Sequence, residues 1–460
     1  MAFMLSCATP FVFSPMEAEE KKEPLNSELL KRIEALEERP TTSGGNALNN
    51  IEFSVEMRGR HEYRKPETYS TTSGSLRHSD DFTQLRNRLN AFSKVSNDID
   101  AFLQIQSLHL AGAKTLGGDS ADADIQQAYF TANDFFVDDL ELLLGRHSMK
   151  YGDQRLVSDL QWGAGRAWDM LRLKYRWGEG NWSDFVASTV VDGNTNLTTT
   201  ANATPNSDNE LYMSWNHIKL AGNKHTLDFY GMLQHDGDHN GYSGEITSRH
   251  PIGNNIGNLN RYTVGFLYKG AIEKLNYSLE CDWQWGNFGS DEIDSYAYIA
   301  SVNYPIFEGQ TLGTTYSKGS GDKDGTDGDN KTFTAPYPFG HALYGFSDLM
   351  SLSNSEIWQF TYTNAITEKI SLRLDYLIGK QHNDEDSWYT AGGAFRNASN
   401  SKKQIGEEID VTMKYKYNKN LNFQLGYSHF MQGAMIRATE TSSTRTGDQD
   451  WFYIQSVLKF

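Results

Sequence analysis

The sequence predicts an all-β protein, a transmembrane antiparallel β-barrel of about 18 strands preceded by a short N-terminal helix. Aromatic residues make up 13% of the 460 residues, although apolar residues reach only 38%. Mean hydropathy is −0.60, and no apolar run approaches the roughly 18 residues that a membrane-spanning helix needs. From Ile51 onward, apolar and polar side chains alternate with a period of two. A barrel with a lipid-facing apolar surface and a polar lumen accounts for all three observations.

Three segments are predicted along the chain. Residues 1–18 are apolar at first but lack a basic start, so we expect an atypical or truncated signal peptide, with a disordered tail as the alternative. Residues 19–50 contain a helix, Asn26 to Arg39, capped by Ser27 and ended by Pro40. This is either a solvated periplasmic helix or a small oligomerisation element, and a Gly- and Ser-containing linker follows it. Residues 51–460 are predicted to form the barrel.

The barrel prediction rests on about eighteen alternating segments, most of them roughly 10 to 14 residues long, as a tilted membrane strand requires. Short turns and long polar loops separate them in alternation, which is typical of outer-membrane barrels. The segments lie near residues 51–63, 81–95, 99–110, 123–133, 139–147, 168–178, 182–191, 209–219, 224–235, 258–269, 273–287, 291–304, 308–318, 355–365, 369–381, 404–417, 420–431 and 450–460.

The two faces of each segment differ in the way a membrane strand requires. Along residues 275–285, Leu, Tyr, Cys and Trp side chains oppose Asn, Ser, Glu, Asp and Gln. A soluble sandwich would bury the aromatic rings against a second sheet, but it would not explain charged residues on the opposite face of nearly every strand. Aromatic residues also cluster at strand ends, as in an interfacial girdle. The chain ends in alternation at Phe460, like the assembly signal of bacterial outer-membrane barrels.

Composition excludes several function classes. Acidic residues outnumber basic ones by 59 to 42, which argues against general nucleic-acid binding. Cys7 and Cys281 are the two cysteines, too few for a disulfide framework or a zinc ligand set. Neither a Gly-x-Ser-x-Gly nor an HExxH motif occurs, so we expect no enzyme and no cofactor. A barrel enzyme remains the less favoured alternative.

Residues 144–173, LGRHSMKYGDQRLVSDLQWGAGRAWDMLRL, resemble the alginate-export family of outer-membrane barrels. Further matching motifs follow in order, among them Leu85 to Leu89, Ile125 to Tyr129 and Gly406 to Asp410. The resemblance covers about residues 50–460. It implies an 18-stranded barrel whose positively charged constriction passes an anionic polysaccharide. Of the family's pore arginines, Arg86 and Arg146 are the matching positions here, whereas Glu56 occupies its first-strand basic position and the penultimate-strand arginine pair falls near Gln424.

Basic residues concentrate in the first third of the predicted barrel. Rings of Arg and Lys in a pore select anions, although lumen residues of any water-filled porin are commonly charged. A general or sugar-specific porin without an export role is therefore the alternative. The candidate pore-lining residues are Arg58, Arg60, Arg86, Arg88, Arg146, Arg155, Arg166, Arg172, Lys174 and Arg176.

An acidic, Gly-rich stretch is a weak candidate for calcium. It contains Asp322, Asp324, Asp327 and Asp329, but it lacks the regular start of a calcium loop, and Phe333 stands where a bidentate Glu belongs. A solvated loop without a metal is the preferred interpretation. The expected partners are membrane lipid and lipopolysaccharide, an anionic polysaccharide or small solute, the outer-membrane assembly machinery and periplasmic secretion partners, but no nucleic acid.

Overall fold

A computed structural model describes residues 50–65, 80–112, 123–191, 209–220, 224–237, 258–325, 327–341, 343–391, 393–397, 401–439 and 447–460. The predicted signal segment and the predicted helix at Asn26 to Arg39 lie outside these residues. Among the described residues, no helix is long and apolar enough to cross a membrane.

Twenty-one strands and one short helix, α1 (Ala434–Thr439), make up the described structure. In chain order the strands are β1 Ile51–Lys65, β2 Asp80–Lys94, β3 Ile99–Ala111, β4 Ala123–Ala132, β5 Leu140–His147, β6 Ala167–Trp177, β7 Asn181–Val191, β8 Asn209–Leu220, β9 His225–Asp236, β10 Leu259–Ile272, β11 Leu275–Phe288, β12 Asp291–Phe307, β13 Gln310–Gly319, β14 Asp329–Asn330, β15 Ser355–Ala365, β16 Ile370–Gln381, β17 Ser387–Thr390, β18 Gly393–Asn397, β19 Gln404–Lys416, β20 Leu421–Gln432 and β21 Gln449–Lys459.

Eighteen of these strands form one closed antiparallel barrel, which confirms the predicted fold class and strand number. Each strand pairs with its barrel neighbours, and β1 pairs with β21 to close the ring. Closure leaves no strand edge in the lipid, where an unpaired backbone amide could find no water. The strands outside the ring are β14 and the β17–β18 hairpin, which lie, like α1, within connections between barrel strands.

The two ends of the barrel differ in the length of their connections. At one end, eight turns of two to seven residues join the strands. At this end, too, the backbone of Phe460 is hydrogen-bonded to that of Val55, near the start of β1. At the other end, eight of the nine connections have 11 or more residues. Because outer-membrane barrels carry short turns on the periplasmic side, we call the first end the short-turn end and assign it to the periplasm.

Two of the long connections fold into the lumen. We call residues 148–166 the short inserted loop and residues 320–354 the long inserted loop. The main cluster of buried apolar residues combines side chains from both loops, such as Val157 and Phe333, with lumen-facing strand residues such as Trp168. The hydrophobic core therefore lies inside the barrel, where these loops pack against its inner wall.

Candidate functional site: the loop-filled constriction

Four predicted arginines form one cluster on the inner wall. Arg58 and Arg60 alternate along β1, and Arg86 and Arg88 alternate along β2. The register pairs Arg58 with Arg86, so the four side chains lie side by side on the lumen face. Each of them is between 2% and 7% exposed. The short inserted loop covers them.

The arginines hold this loop through its peptide carbonyls. Arg58 donates to the carbonyl oxygens of Gln161 at 2.7 Å and Gly163 at 2.9 Å. Arg86 donates to the same two oxygens at 3.0 and 2.9 Å. In addition, Arg60 donates to the Trp162 carbonyl at 2.7 Å and Arg88 to the Ala164 carbonyl at 2.9 Å. Four consecutive carbonyls thus face four guanidinium groups.

Glycine at position 165 permits this close approach. Gly165 has a φ of 98°, a conformation that L side chains rarely adopt. A Cβ at this position would lie 2.9 Å from the Arg88 Nη2 atom. A side chain here would therefore require either the Arg88 guanidinium or the loop backbone to shift.

The positive charge of the cluster is only partly neutralised. Arg86 forms an ion pair with Glu56 at 2.7 Å, and Arg60 forms one with Glu62 at 2.6 Å. Among the described residues, Arg58 and Arg88 form no ion pair, and their hydrogen bonds go to carbonyl and amide oxygens. A neutral oxygen satisfies a donor without cancelling its charge, so a positive field remains at this wall.

The tip of the short inserted loop is held by aromatic packing as well. The Arg60 guanidinium carbon lies 3.7 Å from the centroid of the Trp162 ring. His341, from the long inserted loop, stacks on the same ring at 4.2 Å with an angle of 26°. Trp162 also contacts Tyr453 edge-on at 5.0 Å. The tryptophan therefore links the basic wall to the second loop.

Acidic residues of the wall hold the long inserted loop. Glu408 and Asp410 alternate on the lumen face of β19 and are fully buried or nearly so. The Glu408 carboxylate accepts hydrogen bonds from the Ser347 backbone amide at 2.8 Å and the Ser428 hydroxyl at 2.7 Å. Gly345 has a φ of 99°, and a Cβ there would lie 2.3 Å from Glu408 Oε2. Amides of one loop thus face carboxylates, whereas carbonyls of the other face arginines.

Backbone hydrogen bonds join the two inserted loops into one unit. The Ser158 amide donates to the Tyr337 carbonyl, and the Tyr337 amide donates to the Leu156 carbonyl, both at 2.8 Å. The Phe339 amide donates to the Gln154 carbonyl at 2.9 Å. This pairing is a parallel β-bridge inside the barrel. A displacement of either loop would therefore disturb the other.

The connection after β16 also holds the long inserted loop through hydrogen bonds. Asp386 is 6% exposed and accepts hydrogen bonds from the Asp322 amide and the Thr332 and Tyr389 hydroxyls. Burial raises the pKa of the Asp386 carboxyl above its usual range, although these donors oppose the shift. Trp388 is fully buried and donates from Nε1 to the Leu349 carbonyl at 2.8 Å.

The remaining predicted basic residues lie in the short inserted loop, on β6 and, for one residue, on β5. Arg155 and Arg166 lie in the short inserted loop, where Arg155 donates to the Tyr344 hydroxyl at 3.1 Å and Arg166 lies over the Tyr337 ring at 5.3 Å. The three lumen-facing basic residues of β6 are paired: Arg172 and Arg176 bind Glu141 at 2.7 and 2.6 Å, and Lys174 lies 3.6 Å from Asp184.

Arg146 differs from its predicted position. On β5, Glu141 and Leu143 are buried, whereas Leu144 is exposed on the outer face. Arg146 has the same parity as Leu144, and it forms a bidentate pair with Asp169 at 2.8 and 3.1 Å. Its side chain therefore lies on the outer side of the barrel and not in the lumen, where the family resemblance had placed it.

The acidic stretch of the long inserted loop is held by protein contacts. The Lys331 ammonium contacts Asp327 and Asp329. The Asp324 amide donates to Asp322 at 3.2 Å. Within the described ranges, no group of three or more His, Cys, Asp or Glu side chains is arranged to hold a metal ion. Thr326 lies outside the described residues.

Comparison with known proteins identifies the family of the chain. The model of the alginate export family matches residues 49–447. The chain belongs to the alginate export family. No curated protein matches it.

Solved porins share the fold. Pseudomonas aeruginosa OccK2 (OpdF) in complex with glucuronate is 13% identical, with a TM-score of 0.57 over 90% of this chain and 99% of that chain. Pseudomonas aeruginosa OpdK is 13% identical, with a TM-score of 0.58 over 89% and 99%. A BenF-like porin from Pseudomonas fluorescens Pf-5 is 12% identical, with a TM-score of 0.56 over 89% and 99%. At these identities the likeness concerns the fold alone.

The family and the fold together establish a general role. This alginate export family member is an outer-membrane channel of the Gram-negative type. Both findings point to a channel rather than an enzyme. The sequence pattern did not indicate the residues that complete the constriction, namely the loop carbonyls at 161–164, Trp162 and His341.

Proposed function

We propose that this channel passes an anionic polysaccharide, or a similar anionic solute, by passive diffusion along the arginine cluster of β1 and β2. The observation that carries the proposal is the absence, among the described residues, of an ion pair to Arg58 or Arg88. Two guanidinium charges without a carboxylate partner keep the constriction positive, and a carboxylate on a passing sugar would lower its energy there.

The family description and one structural neighbour support the same class of solute. Alginate, named in the family model, is a polymer of sugar carboxylates, and OccK2 was solved with glucuronate, a single sugar carboxylate. The net charge of −17 does not oppose this. Charges farther away than about 8 Å are largely screened at physiological salt, so the groups nearest to the constriction dominate selectivity.

Ion selectivity in planar bilayers tests the proposal. A reversal potential measured across a KCl gradient should show a preference for chloride over potassium. The Arg58→Gln/Arg88→Gln variant should lose most of this preference, because it removes the two guanidinium charges of the cluster that form no ion pair among the described residues. The Arg58→Lys/Arg88→Lys variant is the matched control: it keeps both charges and should keep the preference, although it loses the guanidinium geometry that holds the loop.

A second candidate function is a general or sugar-specific porin. The carboxylates of Glu280, Asp282, Glu408 and Asp410 point into the lumen from β11 and β19 and favour this alternative. If the unmodified channel prefers potassium, the anionic-solute proposal is wrong and the porin alternative stands.

A further inference from the structure

A second basic region lies inside the barrel, away from the arginine cluster, near the short-turn end. A cavity of about 450 Å³ opens there between β15, β16, β19, β20 and β21. This volume falls within the range of about 300–1,000 Å³ that is typical of ligand sites. Its lining includes Lys369, Lys414 and Lys416. We call it the lysine pocket.

Strand parity places this pocket on the lumen side. Lys414 and Lys416 continue the β19 series that contains the buried, lumen-facing Glu408 and Asp410. The strand residues of β21 that line the pocket also belong to the lumen-facing series, which includes Tyr453. Tyr415 and Phe423 also border the pocket, but they belong to the opposite, outer-facing series of the same strands and stack at 6.3 Å, as aromatic residues of an interfacial girdle do. The pocket thus lies inside the barrel near the periplasmic membrane surface.

The charges of the lysine pocket are accessible and uncompensated. All three lysines are exposed. In the part of the chain that the structure describes, no ion pair involves Lys369, Lys414 or Lys416, and the single carboxylate in the lining is the exposed Glu368. This contrasts with the basic residues of β6, all of which are paired with carboxylates.

Neutral hydrogen-bonding groups form a further part of the lining, beside apolar and aromatic residues. Ser371, Asn422, Gln424 and Gln455 belong to the pocket, on the strands that flank the two β19 lysines and on the next one. Amide and hydroxyl groups both donate and accept hydrogen bonds, as sugar hydroxyls do. Ammonium groups beside such residues suit a ligand that combines carboxylates with hydroxyls.

The pocket connects directly to the arginine cluster. In the strand register, Lys414 pairs with Gln424, Gln424 pairs with Gln455, and Gln455 pairs with Arg60. Arg60 Nη1 also lies 3.5 Å from Gln455 Oε1. One lateral row of residues therefore runs from the lysines near the short-turn end to the arginines under the short inserted loop.

From this arrangement we propose that the lysine pocket is an entry site that binds the carboxylates of a sugar-acid chain at the periplasmic end of the channel. The inference rests on the proposed function and adds to it a second site, separate from the constriction, and a side of the membrane. Lys414 and Lys416 bind carboxylates, and the neighbouring amides and hydroxyl bind sugar hydroxyls. A chain held here extends towards Arg60 and Arg58.

The test is current block of the purified full-length channel in planar bilayers by a defined trigalacturonate, added to one side at a time. We expect block from the short-turn side to be tighter than from the long-loop side. The Lys414→Gln/Lys416→Gln variant should weaken block from the short-turn side by at least about fivefold, since it removes two exposed charge contacts. Lys274→Gln is the matched control, because Lys274 is exposed in the β10–β11 turn at the same end but outside the pocket.

The outcomes separate the pocket from the proposed function. The entry-site proposal is wrong if trigalacturonate blocks the double variant from the short-turn side as tightly as the unmodified channel. It is also wrong if Lys274→Gln weakens that block equally. Equal block by maltotriose, a neutral trisaccharide, would overturn recognition of carboxylates, and equal block by inorganic phosphate would overturn recognition of the sugar. The reversal potential of the same channels tests the constriction independently: an anion preference with unchanged block leaves the proposed function standing, whereas a cation preference removes it. Heat-modifiable mobility on gels verifies that each variant is folded.

Discussion

Substituting the arginines that hold the short inserted loop should lower the free energy of loop opening, and the effects of two substitutions should be strongly non-additive. Arg58 and Arg86 both donate to the carbonyls of Gln161 and Gly163. Either arginine can be lost while each carbonyl keeps one donor. In the Arg58→Met/Arg86→Met double variant, both carbonyls lose their last described donor from the wall.

The magnitude follows from these shared contacts. A hydrogen bond from a charged donor contributes about 1.5–3 kcal/mol, and a carbonyl left buried without a partner costs a further ~1–3 kcal/mol. Because the lost bonds are shared, we expect each single variant to lower the free energy of loop opening by about 2 kcal/mol. The double variant should exceed the sum of the two singles by about 2–6 kcal/mol, the penalty of two buried carbonyls without a partner.

Hydrogen exchange measures this opening. The Arg166 amide donates to the Asp159 carbonyl at 2.7 Å within the loop, so its protection reports on the closed conformation. A change of 2 kcal/mol corresponds to roughly 30-fold faster exchange. Arg373→Met is the control, because Arg373 is paired with Asp375 on β16 and should leave the Arg166 amide protected. Strict additivity, or unchanged protection in the double variant, would refute the idea that the arginine cluster holds the loop.

Three further outcomes are expected. Gly345→Ala should speed exchange of the Ser347 amide, because the new Cβ meets Glu408 at 2.3 Å and the positive φ adds about 1–3 kcal/mol of strain; Gly328→Ala, with a φ of 86° and open space around it, is the control for strain alone. Arg146→Gln should leave the reversal potential unchanged because its side chain lies outside the lumen, and a clear loss of anion preference would contradict that placement. The barrel extracted from outer membranes should migrate faster on gels unheated than boiled, and a single mobility would count against a closed barrel.

The barrel could be predicted from the sequence because its signal is local. Each strand alternates between lipid and lumen, so a window of about ten residues contains the evidence for it. The predicted and observed ends of most strands agree within two residues, for example 404–417 against Gln404–Lys416. The number of strands follows from counting such windows, and it was confirmed.

The constriction could not be predicted in this way because its contacts are not local. Arg58 and Gln161 are 103 residues apart, and no periodicity links them. The predicted orientation of Arg146 was wrong for a different reason. Leu142, Leu143 and Leu144 are consecutive in β5, so that strand shows no alternation from which its inward face could be assigned. The family resemblance placed Arg146 in the pore, whereas the strand pairing places it outside.

The position of charged groups, rather than their sum, determines what this channel can select. The chain carries a net charge of −17, yet Glu408 accepts a hydrogen bond from the Ser347 backbone amide of the long inserted loop. A carboxylate that binds amide protons has its field partly offset by those dipoles. The carbonyls that face Arg58 and Arg88 offset the fields of those guanidinium groups in the same way, and in both cases the unit charge itself stays in place. Peptide dipoles thus offset both walls, and the charges that matter for selectivity are those without an ion pair that lie within about 8 Å of the path of the solute. The net charge of the chain does not decide the sign of that selectivity, which is why the reversal potential has to be measured.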